Sequence, residues 1–354
     1  MDIDFKKIID ESIKLLGKVN ILVSGKTGVG KSTLINAVFK EDIAETGVGK
    51  PVTQYTKEYS KQGCFHHIWD TKGFELAHYK ELTNDINDLI KSKKTGDPTD
   101  HIHIMWYCVS GTRFEVEEYE FVKTIAENIP VIIVCTQSYS TIAESLYKEI
   151  KDRLFNTSIS VIRVLAMDMK IAEDYTKKAF GVKDLVNITY EKLPEAAKGA
   201  FAAAQQVNKD IKKKKITGII ACSAIRAISA GANPIPFSDA LVLAPIQIGM
   251  LASIGLVYGL SLEGAFLATI VSSAAGVVGA TYAGRAIVEG LIKLIPVGGT
   301  LVGGMISASI AGALTTAMGW AYYNALELLI SNGEELSAEN ISSAFVLCLK
   351  SSKI

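Results

Sequence analysis

Gly25-Lys26-Thr27-Gly28-Val29-Gly30-Lys31-Ser32, with Thr33 behind it, sets glycines, a lysine and a hydroxyl at the spacing G-x-x-x-x-G-K-S/T. Each residue type has a task that needs its place. The glycines let the backbone wrap a chain of phosphates with its N–H groups, Lys31 reaches the terminal, reacting phosphates, and the Ser32 hydroxyl can ligate magnesium. Lys26, Thr27, Gly28, Val29, Gly30, Lys31, Ser32 and Thr33 are therefore expected to bind a nucleoside triphosphate. A glycine turn serving structure alone would lack the flanks seen here. An apolar β-branched run, Val19 to Val23, precedes the loop, and Leu34, Ile35, Val38 and Phe39 follow at helical spacing. Strand, loop and helix in that order add the positive end of a helix to the anion site.

Two later stretches offer the rest of a magnesium site. Residues 41–57 are rich in turn formers and lack an apolar period. In a phosphate-loop switch a mobile loop here places a threonine on magnesium and the γ-phosphate; Thr53 is the expected residue, Thr56 its rival, and a plain connecting loop the bland alternative. Asp70-Thr71-Lys72-Gly73 closes an expected strand over 64–69. Asp70 suits a magnesium ligand acting through water, and Gly73 lets its N–H approach the γ-phosphate. The expected metal set is thus Ser32, Thr53 and Asp70. His66 and His67 would point to opposite strand faces, and His101 and His103 share a face without a third ligand, so all four read as structural.

The elements that must position these residues alternate. A helix over 76–94 leads to a strand over 101–109, a helix over 115–128, a strand over 130–135, a helix over 140–155 and a strand over 159–165. Strands alternating with helices give an α/β fold, a doubly wound and mostly parallel sheet with its ligand at the carboxyl ends of the strands.

Taken in order, the phosphate loop, Thr53, Asp70-Thr71-Lys72-Gly73, the strand ending Val134-Cys135-Thr136, and Val164-Leu165-Ala166 resemble the translation-factor-type GTPases. Within them the pattern looks most like the bacterial ribosome-binding-GTPase-like and dynamin- or immunity-related branches, over about residues 18 to 190. The resemblance implies GTP and GDP as ligands with Mg2+, hydrolysis to GDP and phosphate, a base site at Thr136, Gln137 and Ala166, and a homodimer through this domain. Two departures stand out. Thr136-Gln137-Ser138-Tyr139 replaces N/T-K-x-D, so the guanine-selecting carboxylate position is Tyr139; Gln137 could still lie over the base, and Asp168 is the other carboxylate at hand. Phe74 stands where a water-positioning glutamine is usual, which implies slow turnover or a group delivered by dimerisation or a partner. Arg113 is a weak candidate for such a group, a solvated loop arginine being the commoner case.

The chain has 354 residues and a formal net charge of zero, which gives no general electrostatic case for nucleic acid, although the resemblance leaves a ribosomal partner open. Five scattered cysteines without C-x-x-C spacing suit a reducing compartment. Residues 1–16 alternate charged and apolar types, unlike a cleavable signal, and Ile3, Phe5, Ile8, Ile9, Ile13 and Leu16 form a helical stripe expected to pack on the domain that follows. Between residues 216 and 331 the only charges are Arg226, Asp239, Glu263, Arg285, Glu289, Lys293 and Glu327. The expected layout is an amphipathic helix over 1–17, a nucleotide domain over 18–192, a helical basic connector over 193–215, a hydrophobic domain of two helical hairpins over 216–331, and an amphipathic helix over 332–354.

Lys212 to Lys215 abut the apolar block and read as a cytoplasmic-side membrane anchor, against a merely solvated helix face. The uncharged stretches 240–262, 264–284 and 294–326 each reach the length of about 20 residues that spans hydrocarbon. Small residues pair at Gly264/Ala268, Gly299/Gly303 and Ala308/Gly312, and Trp320, Tyr322 and Tyr323 resemble an interfacial belt. Ile235-Pro236 and Leu241-Val242 recur as Ile295-Pro296 and Leu301-Val302. The block resembles a hydrophobic bacterial domain of unknown function that accompanies such GTPases and is regarded as membrane-associated. Against it, Arg285, Glu289 and Lys293 make a stripe suited to a soluble bundle. The resulting expectation is a slow GTPase switch coupled to a membrane-associated helical module, at the cytoplasmic face of a bacterial inner membrane, with lipid or a membrane protein as partner. The alternatives are a nucleotide-gated structural or pore-like effector, a soluble dimeric GTPase with a buried bundle, and an ATP-binding protein.

Overall fold

The computed structural model describes residues 4–40, 48–51, 56–60, 65–71, 79–111, 113–231, 239–274 and 308–351. The chain divides into two compact units, Leu16–Ile211 and a helical unit made of Met1–Leu15 with Lys212–Ile354. In the first, β1 (Val19–Ser24), α2 (Lys31–Phe39), β2 (Val48–Pro51), β3 (Thr56–Ser60), β4 (His66–Thr71), α3 (Tyr79–Lys94), β5 (Ile104–Val109), α4 (Val116–Ala126), β6 (Val131–Cys135), α5 (Thr141–Arg153) and β7 (Ser160–Arg163) follow one another. The sheet order is β2-β3-β4-β1-β5-β6-β7. Pairings among β4, β1, β5, β6 and β7 are parallel, and β2 and β3 are antiparallel additions at one edge.

Why these strands sit in the middle follows from their residues. Every residue of β1, β5 and β6 is buried, as parallel strands covered on both faces require. Their period of two divides the core. Ile21, Val23, Trp106 and Val134 pack with α2, α6 (Val182–Lys192) and α7 (Glu195–Ala204), while Leu22, Tyr107 and Ile133 pack with α3, α4 and α5. The unit extends to Ile211, beyond the expected end at 192, because Ala197, Ala200, Phe201 and Ala202 of α7 belong to the first of these cores with Ile211. An alanine-rich face lets that helix approach the sheet closely.

Three local features differ from the sequence reading. Part of the expected loop over 41–57 forms the edge strand β2 and the start of its neighbour β3, whose pairing needs no apolar alternation. Strand β4 runs on through Asp70 and Thr71 rather than ending before them. An exposed hairpin, β8 (Met169–Ala172) with β9 (Tyr175–Lys177), follows β7.

In the helical unit, α1 (Phe5–Leu16) buries Phe5, Ile9 and Ser12 and leaves Ile13 exposed. Its expected packing on the domain that follows gives way to other neighbours: Ser12 Oγ donates to the Gly249 carbonyl at 3.4 Å, and Phe5 lies beside Gly264. The remaining helices are α8 (Lys209–Gly231), whose first residues belong to the other unit, α9 (Asp239–Val257), α10 (Gly264–Ala274), α11 (Ala308–Asn332) and α12 (Ala338–Ser351). Small residues do allow close approach. A Cβ on Gly312 would meet Ile228 at 2.6 Å, and one on Gly319 would meet Ile220 at 2.6 Å. Tyr322 is core rather than belt, fully buried with its ring 5.4 Å from that of Phe345. The basic run is not one face either: Lys213 and Lys214 are exposed, whereas Lys212 turns inward and donates to the Val257 carbonyl at 3.2 Å. Among the described residues no helix is long and apolar enough to cross a membrane. Residues 275–307, and with them Arg285, Glu289, Lys293, Pro296, Gly299 and Gly303, lie outside the described residues, as does Pro236.

Candidate functional site

Register brings the carboxyl ends of the strands to one edge. Val23 of β1 pairs with Asp70 of β4, Ser24 with Tyr107 of β5, and Val109 of β5 with Cys135 of β6. The phosphate loop after β1, Asp70 near the end of β4 and Thr136-Gln137 after β6 therefore lie on the same side. One open cleft of about 410 Å³ is lined by Thr27, Gly28, Gly30, Lys31, Ser32, Thr33, Asp70, Thr71 and Gln137.

The loop's shape is dictated by its glycines. Gly25 has φ 139°, and a Cβ there would run into the Cys108 carbonyl, so only glycine lets the chain turn off β1 at this point. Gly30, at φ 95°, starts α2 without a side-chain cap, which leaves the first-turn N–H groups for a ligand. Lys31 Nζ donates to two loop carbonyls, Gly25 at 2.9 Å and Lys26 at 3.2 Å. The ammonium thus bends back over its own loop. Burial pushes the Cys108 thiol up to about 12 against the opposing pull of nearby Lys31, so this cysteine is apolar filling rather than a nucleophile. Thr71 Oγ1 donates to Ser24 Oγ at 3.1 Å and joins the ends of β4 and β1.

The Thr136-Gln137 segment after β6 is tied to the same loop. Thr136 Oγ1 donates to the Val29 carbonyl and is shared with that of Val109; Gln137, held at φ 50°, donates through Nε2 to the Gly28 carbonyl at 3.0 Å. Ser138 N donates to the Val164 carbonyl at 3.3 Å, which aligns the Thr136 loop with the segment leading to Ala166, itself partly buried against the core. Tyr139 is half-buried, and its carbonyl accepts from Lys177 Nζ at 3.4 Å. The Asp168 carboxylate accepts from Lys178 Nζ and from the Ala179 N–H, both at 2.8 Å, and these bonds hold its carboxyl below the usual range.

Of the sequence-expected residues, the structure gathers Thr27, Gly28, Gly30, Lys31, Ser32, Thr33, Asp70 and Gln137 around one cleft, whereas Val29 is buried in the core, the Lys26 side chain pairs with Glu118, and buried Thr136 bonds to the loop from outside that lining. Thr53, Gly73 and Phe74 lie outside the described residues, Thr56 falls in β3, and Arg113 is exposed. His66 stacks on Phe39 at 4.4 Å, and buried His103 accepts the Asn20 N–H at 2.9 Å, so both are structural. Ser32 and Asp70 supply hard oxygen donors to the cleft, a chemistry that fits magnesium. The sequence reading missed Glu118, a buried carboxylate 2.9 Å from Lys26 Nζ. Its one signal was Glu115-x-x-Glu118, a capping pair that opens α4.

Residues 20–137 match the family model of the 50S ribosome-binding GTPases. The match takes in the phosphate loop, Asp70 and Thr136-Gln137 and supports a GTP-binding, phosphate-loop GTPase domain; it does not reach the helical unit. A comparison with curated proteins finds no match. Among solved structures, the chain is similar to the G domain of the T. maritima FeoB iron transporter at 16% identity, covering 49% of this chain and 98% of that one, with a TM-score of 0.31. It is likewise similar to Toc33 from Arabidopsis thaliana in complex with Mg2+ and GMPPNP, at 17% identity, 58% and 95% coverage and a TM-score of 0.34.

Proposed function

We propose that the chain is a GTP-binding regulatory switch that hydrolyses GTP slowly and couples its nucleotide state to the helical unit. The observation that carries this reading is one cleft in which Thr27, Gly28, Gly30, Lys31, Ser32, Thr33, Asp70 and Gln137 converge. In it the loop N–H groups and the start of α2 cradle the phosphates, and Lys31 exchanges the Gly25 and Lys26 carbonyls for the terminal phosphates. Ser32 and Asp70 would hold magnesium, with Thr53 the proposed third residue, and the ion would neutralise charge on the phosphate oxygens. Thr136 and Gln137 fix the base end against the loop, and the Ala166 backbone completes it.

ATP is the second reading, favoured by Tyr139 at the carboxylate position and by the engagement of Asp168 with Lys178. Phosphate release measured with GTP and with ATP over a range of protein concentrations tests both. Slow release from GTP in preference to ATP is expected, and a rate per molecule that climbs with concentration would support a dimer that supplies the missing group. Equal use of ATP, or fast concentration-independent turnover, contradicts the reading.

For the helical unit we propose association with the cytoplasmic surface of a membrane. What supports it is the exposed side of α8, where Ile225 and Ile228 share the surface with Lys213 and Lys214. Co-sedimentation with anionic and neutral vesicles in the GTP, GDP and nucleotide-free states tests it. A full-length chain that ignores both kinds of vesicle in all three states has no such role.

A further inference from the structure

Glu118 is only 1% exposed, yet it is a carboxylate, and an ionised carboxylate out of water demands donors and a compensating charge. It has both. Oε2 accepts from Lys26 Nζ at 2.9 Å and from the Glu115 N–H at 3.0 Å, and Oε1 accepts from Tyr107 OH at 2.8 Å. Tyr107 OH in turn meets Tyr79 OH at 2.7 Å. Burial and the neighbouring carboxylate hold the Tyr107 phenol well above its ordinary value, so it stays a donor. This chain of contacts begins in the phosphate loop and ends at Tyr79, the first residue of α3 and the first described after Thr71.

We propose that Glu118 is a positioning residue for the nucleotide site: through Lys26 it pins the back of the phosphate loop, and through Tyr107 and Tyr79 it ties that loop to the start of α3. The inference rests on the nucleotide reading above. Lys26 is held at both ends, its ammonium by Glu118 and its carbonyl by Lys31 Nζ at 3.2 Å. When the Lys31 ammonium moves to a phosphate, the Lys26 carbonyl loses that donor, and the Glu118 contact then holds the Lys26 end of the loop, as Gln137 and Thr136 hold Gly28 and Val29. A loop fixed beforehand loses less conformational freedom on binding, which appears as affinity. The side chains of Glu118 and Lys26 touch no substrate in this scheme; they act through the loop backbone.

The test uses the full chain and the magnesium complex of a fluorescent GTP analogue, with Lys26→Met, Lys26→Arg, Glu118→Gln, the Lys26→Met/Glu118→Gln double variant and Lys31→Ala side by side. Lys26→Met and Glu118→Gln should each weaken binding by about tenfold or more, the value of one charge-assisted hydrogen bond. The double variant should bind no worse than the weaker single one, and Lys26→Arg should stay within about threefold of wild type because its guanidinium can still reach the carboxylate. Lys26→Met binding like wild type, losses that add in the double variant, or Lys26→Arg as poor as Lys26→Met would each overturn the proposal. If Glu118→Gln fails to fold, the two Lys26 variants decide, since that side chain is one-third exposed and leaves no cavity. Loss of binding in Lys31→Ala but not in Lys26→Met overturns this inference alone. Wild type and Lys31→Ala binding equally overturns the nucleotide reading and this one with it.

Discussion

The side-chain amide of Gln137 donates to the Gly28 carbonyl at 3.0 Å, so a residue from the loop after β6 braces the phosphate loop after β1. Thr136 does the same one residue on, at Val29. Both bonds act on the loop's shape.

Gln137→Ala should therefore weaken GTP and ATP binding alike, by about fivefold for one neutral hydrogen bond at roughly 1 kcal/mol. Equilibrium titration with both nucleotides checks this. A loss confined to GTP would mean that Gln137 reads the base directly.

Gly25→Ala faces two obstacles at once, a φ of 139° and a Cβ directed into the Cys108 carbonyl. Neither neighbour is the flexible end of a side chain. A destabilisation of at least about 2 kcal/mol is expected from urea unfolding, together with loss of nucleotide binding. Wild-type stability with intact binding would mean that the turn off β1 is not the one described.

Lys212 carries the pH prediction. Burial lowers its ammonium from the ordinary 10.5 to about 8, against the attraction of Glu327. Between those values the unfolded chain binds more protons than the folded one, so this group makes stability rise with pH across about 8 to 10.5. The stability of wild type minus that of Lys212→Met should accordingly increase through that window. A difference that is flat or falling would contradict the burial of the Lys212 ammonium.

Much of the sheet unit was legible because its signals are local. Continuous apolar runs such as Ile104 to Val109 announce buried parallel strands, and the glycine spacing of the phosphate loop announces its turn. Asp70 was found because strand-end position and residue type coincide. What escaped depends on partners distant in sequence. Strand β3 takes its order from β4, and the edge strand β2 from β3, not from their own pattern. Glu118 is the counter-charge of a lysine far back in the chain, and nothing beside it announces Lys26. In the helical unit, residues without charge look alike whether they face lipid or one another. Tyr322 could be assigned to the core only once Phe345 was seen against it.

Calorimetric titration of magnesium GTP into wild type and Lys31→Ala tests the central claim most directly. Lys31 donates to Gly25 and Lys26 from within the cleft, so its loss should abolish measurable binding while leaving the unfolding transition in place. Lys31→Ala that binds magnesium GTP as tightly as wild type would contradict the account, because the cleft would then hold no triphosphate on its loop.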